Sequence, residues 1–268
     1  MTSLSSENFV PFTARMMAAI RALEQQQTNP LFQDLLAEQL AGEEALVAIQ
    51  ERLTSKDLAY VAIRTHYFDQ FLTQHPAPQV VILASGLDTR AYRLPWPKNT
   101  VLFELDHEGV LAYKTAQLQD QTPACELHLL GMDLTQSHWG EALQAKGYNP
   151  TIPSVWLVEG LLMYLEEEQV RAILKQIAAL TTRQSYLGLD LINQVSVNYA
   201  PYQGYFRSGW DEPEVLLAEY GWQGKVSQPG EPDTHPERYP WTFPPRDQPN
   251  VERVFLIQCE RIDTPAVP

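Results

Sequence analysis

An apolar run that breaks into a small-residue turn, VVILASGLDTRAYR over Val80–Arg93, is followed by a second apolar run ending in Phe103-Glu104-Leu105-Asp106. Twenty residues separate Gly86 from Asp106. Few architectures use such a pair. In an α/β fold the turn after one strand lets backbone approach a nucleoside, and a carboxylate at the end of the next strand accepts from the ribose hydroxyls. A dinucleotide site asks for G-x-G-x-x-G, so that a helix N-terminus receives the pyrophosphate. Here Ala84-Ser85-Gly86-Leu87-Asp88-Thr89 lacks two of those three glycines and puts an acid where the pyrophosphate would lie. A cationic or zwitterionic nucleoside suits this turn better.

From Gln79 the pattern alternates. Strands are predicted at Val80–Ala84, Val101–Leu105, Leu127–Leu130, Ser154–Val158 and Tyr186–Leu189, with helices at Glu108–Leu118, His138–Lys146 and Glu167–Leu180 between them. Such alternation predicts a doubly wound, mostly parallel sheet whose ligand lies at the carboxyl ends of the strands. Ala84, Asp106, Asp133 and Glu159 all fall at or just past such ends. Val251–Cys259 reads as a last strand, antiparallel beside Lys225-Val226, and Gln228–Gln248, dense in proline, as an irregular surface loop. Residues 1–75 read as a helical cap, 76–268 as the core, and about 191–212 as a lid insertion rich in tyrosine. In the cap, helices are expected at Thr13–Gln25 with Thr13 as N-cap, Leu31–Leu40 and Leu58–Thr73.

A formal charge of −14 argues against nucleic acid or an anionic membrane as partner. Cys125 and Cys259, both placed on strands, are too few for a disulfide framework or a thiolate metal site. With no apolar run of spanning length and no leader-like start, the expectation is a soluble cytoplasmic protein without a metal.

GLDTRAYRL and FELDHEGVLAYK closely resemble the leucine carboxyl methyltransferase family, a branch of the class I S-adenosylmethionine-dependent methyltransferases. The resemblance extends to Thr13–Glu24, Arg64-Thr65, Asp133-Leu134, Val158–Leu165 and Gly221-Trp222. It implies a seven-stranded Rossmann-like sheet, S-adenosyl-L-methionine as cofactor, and O-methylation of a small molecule. It also implies roles. Asp106 would bind the ribose, with Glu104 in support, and Gly86 would let the aminoacid portion approach. Arg64 would pair with the cofactor carboxylate, with Arg15 a looser candidate. Asp133 would accept from the adenine amino group, Leu134 would pack on the ring, and Glu159 would face the amino end. Family members carry glycine where this chain has Ala84, whose methyl group is tolerated if its φ is negative.

Methyl transfer asks chiefly for alignment, because the sulfonium is already activated. A carboxylate acceptor needs no base, whereas a hydroxyl needs a proton sink. His66, His107 and Tyr164 are near, but none stands out as a base, so a carboxylate acceptor steered by Arg93 or Arg207 is the simpler expectation. The tyrosines of Tyr199–Trp210 either line an aromatic acceptor pocket or merely pack. A protein C-terminal carboxylate as acceptor and a non-catalytic cofactor-binding module remain as alternatives; a nucleotide-dependent oxidoreductase is disfavoured by the missing glycines and Asp88.

Overall fold

The computed structural model describes residues 12–199 and 204–262. Three helices, α1 (Phe12–Glu24), α2 (Ala37–Arg52) and α3 (Ser55–Gln74), precede the first strand. The sheet then forms from β1 (Gln79–Leu83), β2 (Val101–Asp106), β3 (Glu126–Gly131), β4 (Ser154–Val158), β5 (Tyr186–Ile192), β6 (Trp222–Ser227) and β7 (Val254–Arg261). Between strands lie α4 (Arg90–Arg93), α5 (Glu108–Gln117), α6 (Trp139–Ala145), α7 (Glu167–Ala179) and α8 (Pro213–Ala218).

The strand order is β3-β2-β1-β4-β5-β7-β6, parallel except for β7, which runs antiparallel between β5 and β6. All five residues of β1 and of β4 are buried. That is why these central strands are unbroken apolar runs, whereas a one-sided strand would alternate. Chain order reverses at β1, between β2 and β4, which makes this the topological switch point. Register then fixes the site: Leu83 stands opposite Leu105 on one side and Val158 on the other. The next residues, Ala84, Asp106 and Glu159, therefore emerge along one rim.

One face of the sheet packs on α3, with Phe68 and Phe71 against Val80, Ile82, Val155 and Leu157. Gly188 on β5 makes room for this: a Cβ there would stand 2.7 Å from the Phe71 ring. The other face buries Trp139, Trp156 and the α7 stripe Val170, Ile173, Leu174 and Ile177. The exposed start of α7 carries Glu166–Glu168, favoured by the helix dipole, and Gln169 Oε1 accepts the Glu166 N–H at 2.9 Å. α1 and α2 form a third cluster with Val61, Leu87 and Val110, above the turn that follows β1.

Several local expectations need correction. Helix α1 is already under way at Phe12, so Thr13 is not its N-cap; α3 has a true capping box, Thr54 with Asp57. Residues 31–34 are irregular and α2 starts only at Ala37, because the Asp34 side chain is drawn into the interior by Arg21 and Thr89. Cys125 lies just before β3 rather than on a strand, half-buried; Cys259 is on β7 and buried, and both thiols are free. The segment 228–248 is irregular as expected, yet Gln228, Thr234 and Tyr239 within it are buried. Among the described residues no helix is long and apolar enough to cross a membrane, and no group of His, Cys, Asp and Glu could hold a metal ion.

Candidate cofactor site and adjoining chamber

The rim left by β1, β2 and β4 opens into a cavity of about 380 Å³. Arg64, Ala84, Gly86, Asp106 and Glu159 line it, and α1 closes over the top through Met17 and Arg21. Ala84 and Gly86 have φ of 51° and 54°, both in the left-handed region. A negative φ at Ala84 was the condition for tolerating its methyl group, and the structure does not meet it. The turn keeps the conformation glycine would favour and carries the alanine at a cost of about 1–2 kcal/mol.

Asp106 is held by backbone. Its carboxylate accepts the Gly86 N–H at 2.6 Å through one oxygen and the His107 N–H at 2.7 Å through the other. Each oxygen keeps a lone pair for a ligand hydroxyl. It is not a helix cap, since the N-terminal position of α5 belongs to His107. Burial raises its carboxyl pKa, against the lowering effect of the two N–H bonds. Glu104, fully buried beneath it, pairs with Lys114.

Behind the rim lies an ionic network that the sequence did not reveal. Arg90 Nη1 reaches Asp88 at 2.5 Å and Glu159 at 2.9 Å, while its Nε holds Asp69 at 2.7 Å. Arg64 holds Glu159 at 2.9 Å and Asp190 at 3.1 Å, and Asp190 also accepts the Gly160 N–H at 2.7 Å. The Arg64 Nε–H is buried and not aimed at Glu159, so it lacks a hydrogen-bond acceptor. Arg21 pairs with Asp34 and donates to the Leu87 carbonyl. Six carboxylates (Asp34, Asp69, Asp88, Asp106, Glu159, Asp190) thus stand with four guanidinium groups (Arg21, Arg64, Arg90, Arg93) in and behind the rim; Asp88, Asp106 and Glu159 line the cavity together with all four arginines. Burial would raise the Asp88 carboxyl, but Arg90 outweighs it and holds it at about 2. Glu159 is likewise kept low by Arg90 and Arg64 against burial; at Asp190 burial prevails and the pKa rises.

The structure also redistributes other residues singled out in the sequence. Arg93 is held by Asp69 at 2.5 and 2.8 Å, and Arg207 pairs with Glu166 at the surface, so neither is a free steering cation. Arg15 turns to Glu44 and the Ala41 carbonyl, leaving Arg21 as the α1 arginine that lines the cavity. Glu159 is no exposed loop residue, and Arg64 is no solvated helix residue. Asp133 and Leu134 are outside the cavity wall: Asp133 is bound to Thr135, and the Leu134 side chain packs into the core. The one available signal for the network was TRAYR, which puts two arginines three residues apart immediately beside the turn.

A second chamber of about 210 Å³ adjoins the first and shares Met17, Leu53, Arg64, Gly160 and Tyr164 with it. One face of α3 (Lys56, Asp57, Tyr60, Val61, Arg64) forms its floor. Tyr164, Tyr199, Phe206, Tyr239 and Phe243 bring rings from three further segments. Tyr199 and Phe206 of the tyrosine-rich insertion therefore face this space, Tyr205 is exposed, and Tyr202 lies outside the described residues. Neither His66 nor His107 lines either space. The His66 ring meets His235 edge-on at 4.4 Å, and burial lowers its pKa.

Comparison with known proteins agrees with the architecture. The family model for leucine carboxyl methyltransferase matches residues 14–178. A predicted S-adenosyl-L-methionine-dependent methyltransferase of Streptomyces avermitilis is 36% identical over 79% of this chain and 82% of its own length. One from Parafrankia sp. is 34% identical over 80% and 76%. With a Mycobacterium sp. (strain JLS) relative of the same description, 37% identical, the match spans 66% of this chain and 65% of the relative. Among solved structures, a duf574 family protein from Streptomyces avermitilis superposes with a TM-score of 0.61 at 12% identity, covering 93% of this chain and 97% of that one. A predicted methyltransferase from Thermobifida fusca gives 0.59 at 14% identity, covering 97% of each chain. These two likenesses concern the fold.

Proposed function

The chain belongs to the leucine carboxyl methyltransferase family of S-adenosyl-L-methionine-dependent methyltransferases, and from that premise we propose that it methylates a carboxylate oxygen of a small-molecule acid. The observation that carries the reading is the pair of joined spaces: a charged cavity at the switch point opens, past Arg64, Gly160 and Tyr164, into a small aromatic chamber.

The residues of the first cavity fit the cofactor. Asp106 presents two backbone-fixed oxygens to a ribose diol, and Gly86 exposes backbone beside them. Carboxylates and guanidinium groups in one wall suit a zwitterionic ligand. Arg64, with its unaimed Nε–H, would take the cofactor carboxylate, and Glu159 would meet the amino group. Asp133, just past the end of β3 and half-buried, would meet the adenine end. The helices of residues 1–75 would cover the cofactor and the 191–212 insertion would wall off the acceptor.

When bound, S-adenosylmethionine supplies a methyl group already activated on a sulfonium. What remains for the chain is to hold the acceptor oxygen in line with that methyl group and to exclude water. A carboxylate oxygen would form the new C–O bond as the C–S electron pair returned to sulfur, so the chain would have no proton to remove. This suits the junction, where Arg64 and Tyr164 are shared by the two spaces, Tyr60 and Glu159 stand beside them, Glu159 is paired with Arg64, and no imidazole among the described residues lines either space. Burial pushes the Tyr60 hydroxyl far above its ordinary range, which makes it a poor base.

The test has two stages. S-adenosylmethionine and S-adenosylhomocysteine, but not NADH, should raise Tm, since a ligand at a hundredfold excess over Kd adds about 2.7 kcal/mol. Labelled methyl transfer to a panel of carboxylic acids should then yield a base-labile product that releases methanol. A base-stable methyl ether, or turnover only on a peptide C-terminus, would overturn the small-acid reading.

A further inference from the structure

The roof of the aromatic chamber is the irregular segment between β6 and β7, and its shape depends on one buried cation. Arg253 is 3% exposed and lines the chamber. Its Nη1 donates to Gln228 Oε1 at 2.9 Å and to the Pro244 carbonyl at 2.8 Å, and its Nη2 to the Pro245 carbonyl at 2.6 Å and the Gln248 carbonyl at 3.5 Å. Every one of these acceptors is neutral, and no carboxylate among the described residues pairs with this guanidinium. A planar fork of fixed donors holding four loop oxygens defines a loop conformation in a way a flexible ammonium does not.

The same residue ties the roof to the side wall. Its backbone N–H lies 2.9 Å from Asn193 Oδ1 and 2.8 Å from Ser196 Oγ, and its carbonyl accepts from Asn193 N–H at 3.1 Å. Asn193 Nδ2 also donates to the Val251 carbonyl at 2.8 Å. Asn193 and Ser196 begin the insertion that brings Tyr199 and Phe206 to the chamber. Roof and wall are thus one hydrogen-bonded unit centred on Arg253.

The floor supplies a length. Arg64, shared with the cofactor cavity, and Lys56, shared with an open groove at the outer end, are eight residues apart on α3, about 12 Å at 1.5 Å per residue. Tyr60 and Val61 lie between them, and the Lys56 ammonium stands 5.8 Å from the Phe243 ring at the outer end. A ligand that fills this space is longer than one ring and mainly apolar.

We propose that Arg253 is a positioning residue that holds roof and wall of the acceptor chamber in one shape, and that this shape selects an elongated, mainly apolar acid of the arylalkanoate kind. The proposal rests on the methyl-transfer reading of the adjoining cavity. Arg253 acts through the loop and the wall it holds, so its effect belongs on acceptor binding and not on the cofactor.

Calorimetric titration with benzoate, 3-phenylpropionate and 4-phenylbutyrate, in the presence of saturating S-adenosylhomocysteine, tests it. Affinity should rise along that series. In Arg253→Met the Kd of 4-phenylbutyrate should weaken at least tenfold and its preference over benzoate should collapse, while the Kd of S-adenosylhomocysteine stays within twofold. Arg253→Lys should restore only part of the selectivity. Should Arg253→Met fail to fold, Phe243→Ala, which shortens the outer wall, should level the series in the same way. Equal affinity for all three acids, absence of binding, or unchanged selectivity in the folded variants would overturn the proposal. Selective binding without ester formation would instead remove the carboxyl-transfer reading and leave the chamber assignment standing. Absence of S-adenosylhomocysteine binding would strike the cofactor premise itself.

Discussion

The two joined spaces are built by opposite means. The cofactor cavity is made at the ends of three adjacent parallel strands, and its wall is charged and cross-linked by ion pairs. The acceptor chamber is made from one face of α3, Met17 and Ile20 of α1, and three segments far apart in the chain, and its wall is largely aromatic and shaped by hydrogen bonds between loops. In the first, strand register places the functional groups. In the second, α1, α3 and the ends of β5 and β7 supply only part of the wall, and a few polar side chains must place the loops that supply the rest. Changes in the first space should therefore move stability and cofactor binding, and changes in the second should move acceptor binding and leave cofactor binding as it is.

The strongest way to break this division is at Arg90. It is 3% exposed and serves Asp69, Asp88 and Glu159 together. Replacing it by methionine leaves three buried carboxylates short of a counter-charge, a change that costs about 3–5 kcal/mol in comparable buried pairs. Denaturant unfolding of Arg90→Met should show that loss. A loss below about 1 kcal/mol would mean the network is solvated and does not shape the cavity.

Asp106 separates binding from stability. Asp106→Asn keeps an acceptor oxygen but removes the charge, and should weaken S-adenosylhomocysteine roughly 10–100-fold, the equivalent of about 1.5–3 kcal/mol for a charged hydrogen bond. The pH dependence sharpens the point. Because its folded pKa is raised, Asp106 takes up a proton as pH falls toward, but before it reaches, the ordinary value of 3.8. Cofactor affinity should fall in that window. Asp88, held at about 2, contributes stability above its ordinary 3.8 that is lost only as pH drops from there toward 2. Calorimetry and unfolding run side by side should thus show affinity declining first. The early decline should vanish in Asp106→Asn; coincident loss of both properties would contradict the assignment.

The same contrast explains what could be read in the chain. The alternating strands, the turn after β1 and the acid after β2 follow from hydrophobic runs and fixed spacing, which are local, whereas the seven-stranded sheet was implied by the family resemblance. Residues past strand ends, such as Glu159, converge because parallel strands end together. Arg90 and Asp190 were missed because pairing across 126 residues, as between Arg64 and Asp190, leaves no periodic trace. The tyrosines of the insertion were ambiguous for a related reason. An aromatic residue packs or recognises according to which distant segment faces it: Phe206 meets Tyr164, and Tyr199 shares the chamber with residues from 229–254. Leu134 shows the limit from the other side: its strand-end position is local, but the direction of its side chain was settled by the core around Trp139.

A smaller effect tests the chamber without Arg253. Phe206 meets Tyr164 edge-to-face at 5.3 Å between ring centres, at the junction of the two spaces. Phe206→Ala removes one ring from the wall and a pair worth about 0.5–1.5 kcal/mol beyond its burial. KM for the acceptor should rise roughly tenfold, with cofactor Kd unchanged within twofold; a matching change in cofactor Kd would show that the two spaces are one.

The smallest expected change is the most local. Ala84 sits in the turn that the cofactor must approach, with φ of 51°. The left-handed conformation costs an L-residue about 1–2 kcal/mol, while glycine adds about 0.5–1 kcal/mol of unfolded-state entropy. Ala84→Gly should therefore leave a net gain of up to about 1 kcal/mol, a rise in Tm of roughly 2–4 °C for a chain of this size. It should also tighten S-adenosylhomocysteine, because the methyl group leaves the cavity wall. A gain in affinity with no gain in Tm would mean that space, not strain, is what the alanine takes from this turn. A fall in Tm would mean that the turn adopts a negative φ in solution, and that the rim formed by β1, β2 and β4 is less rigid than register alone implies.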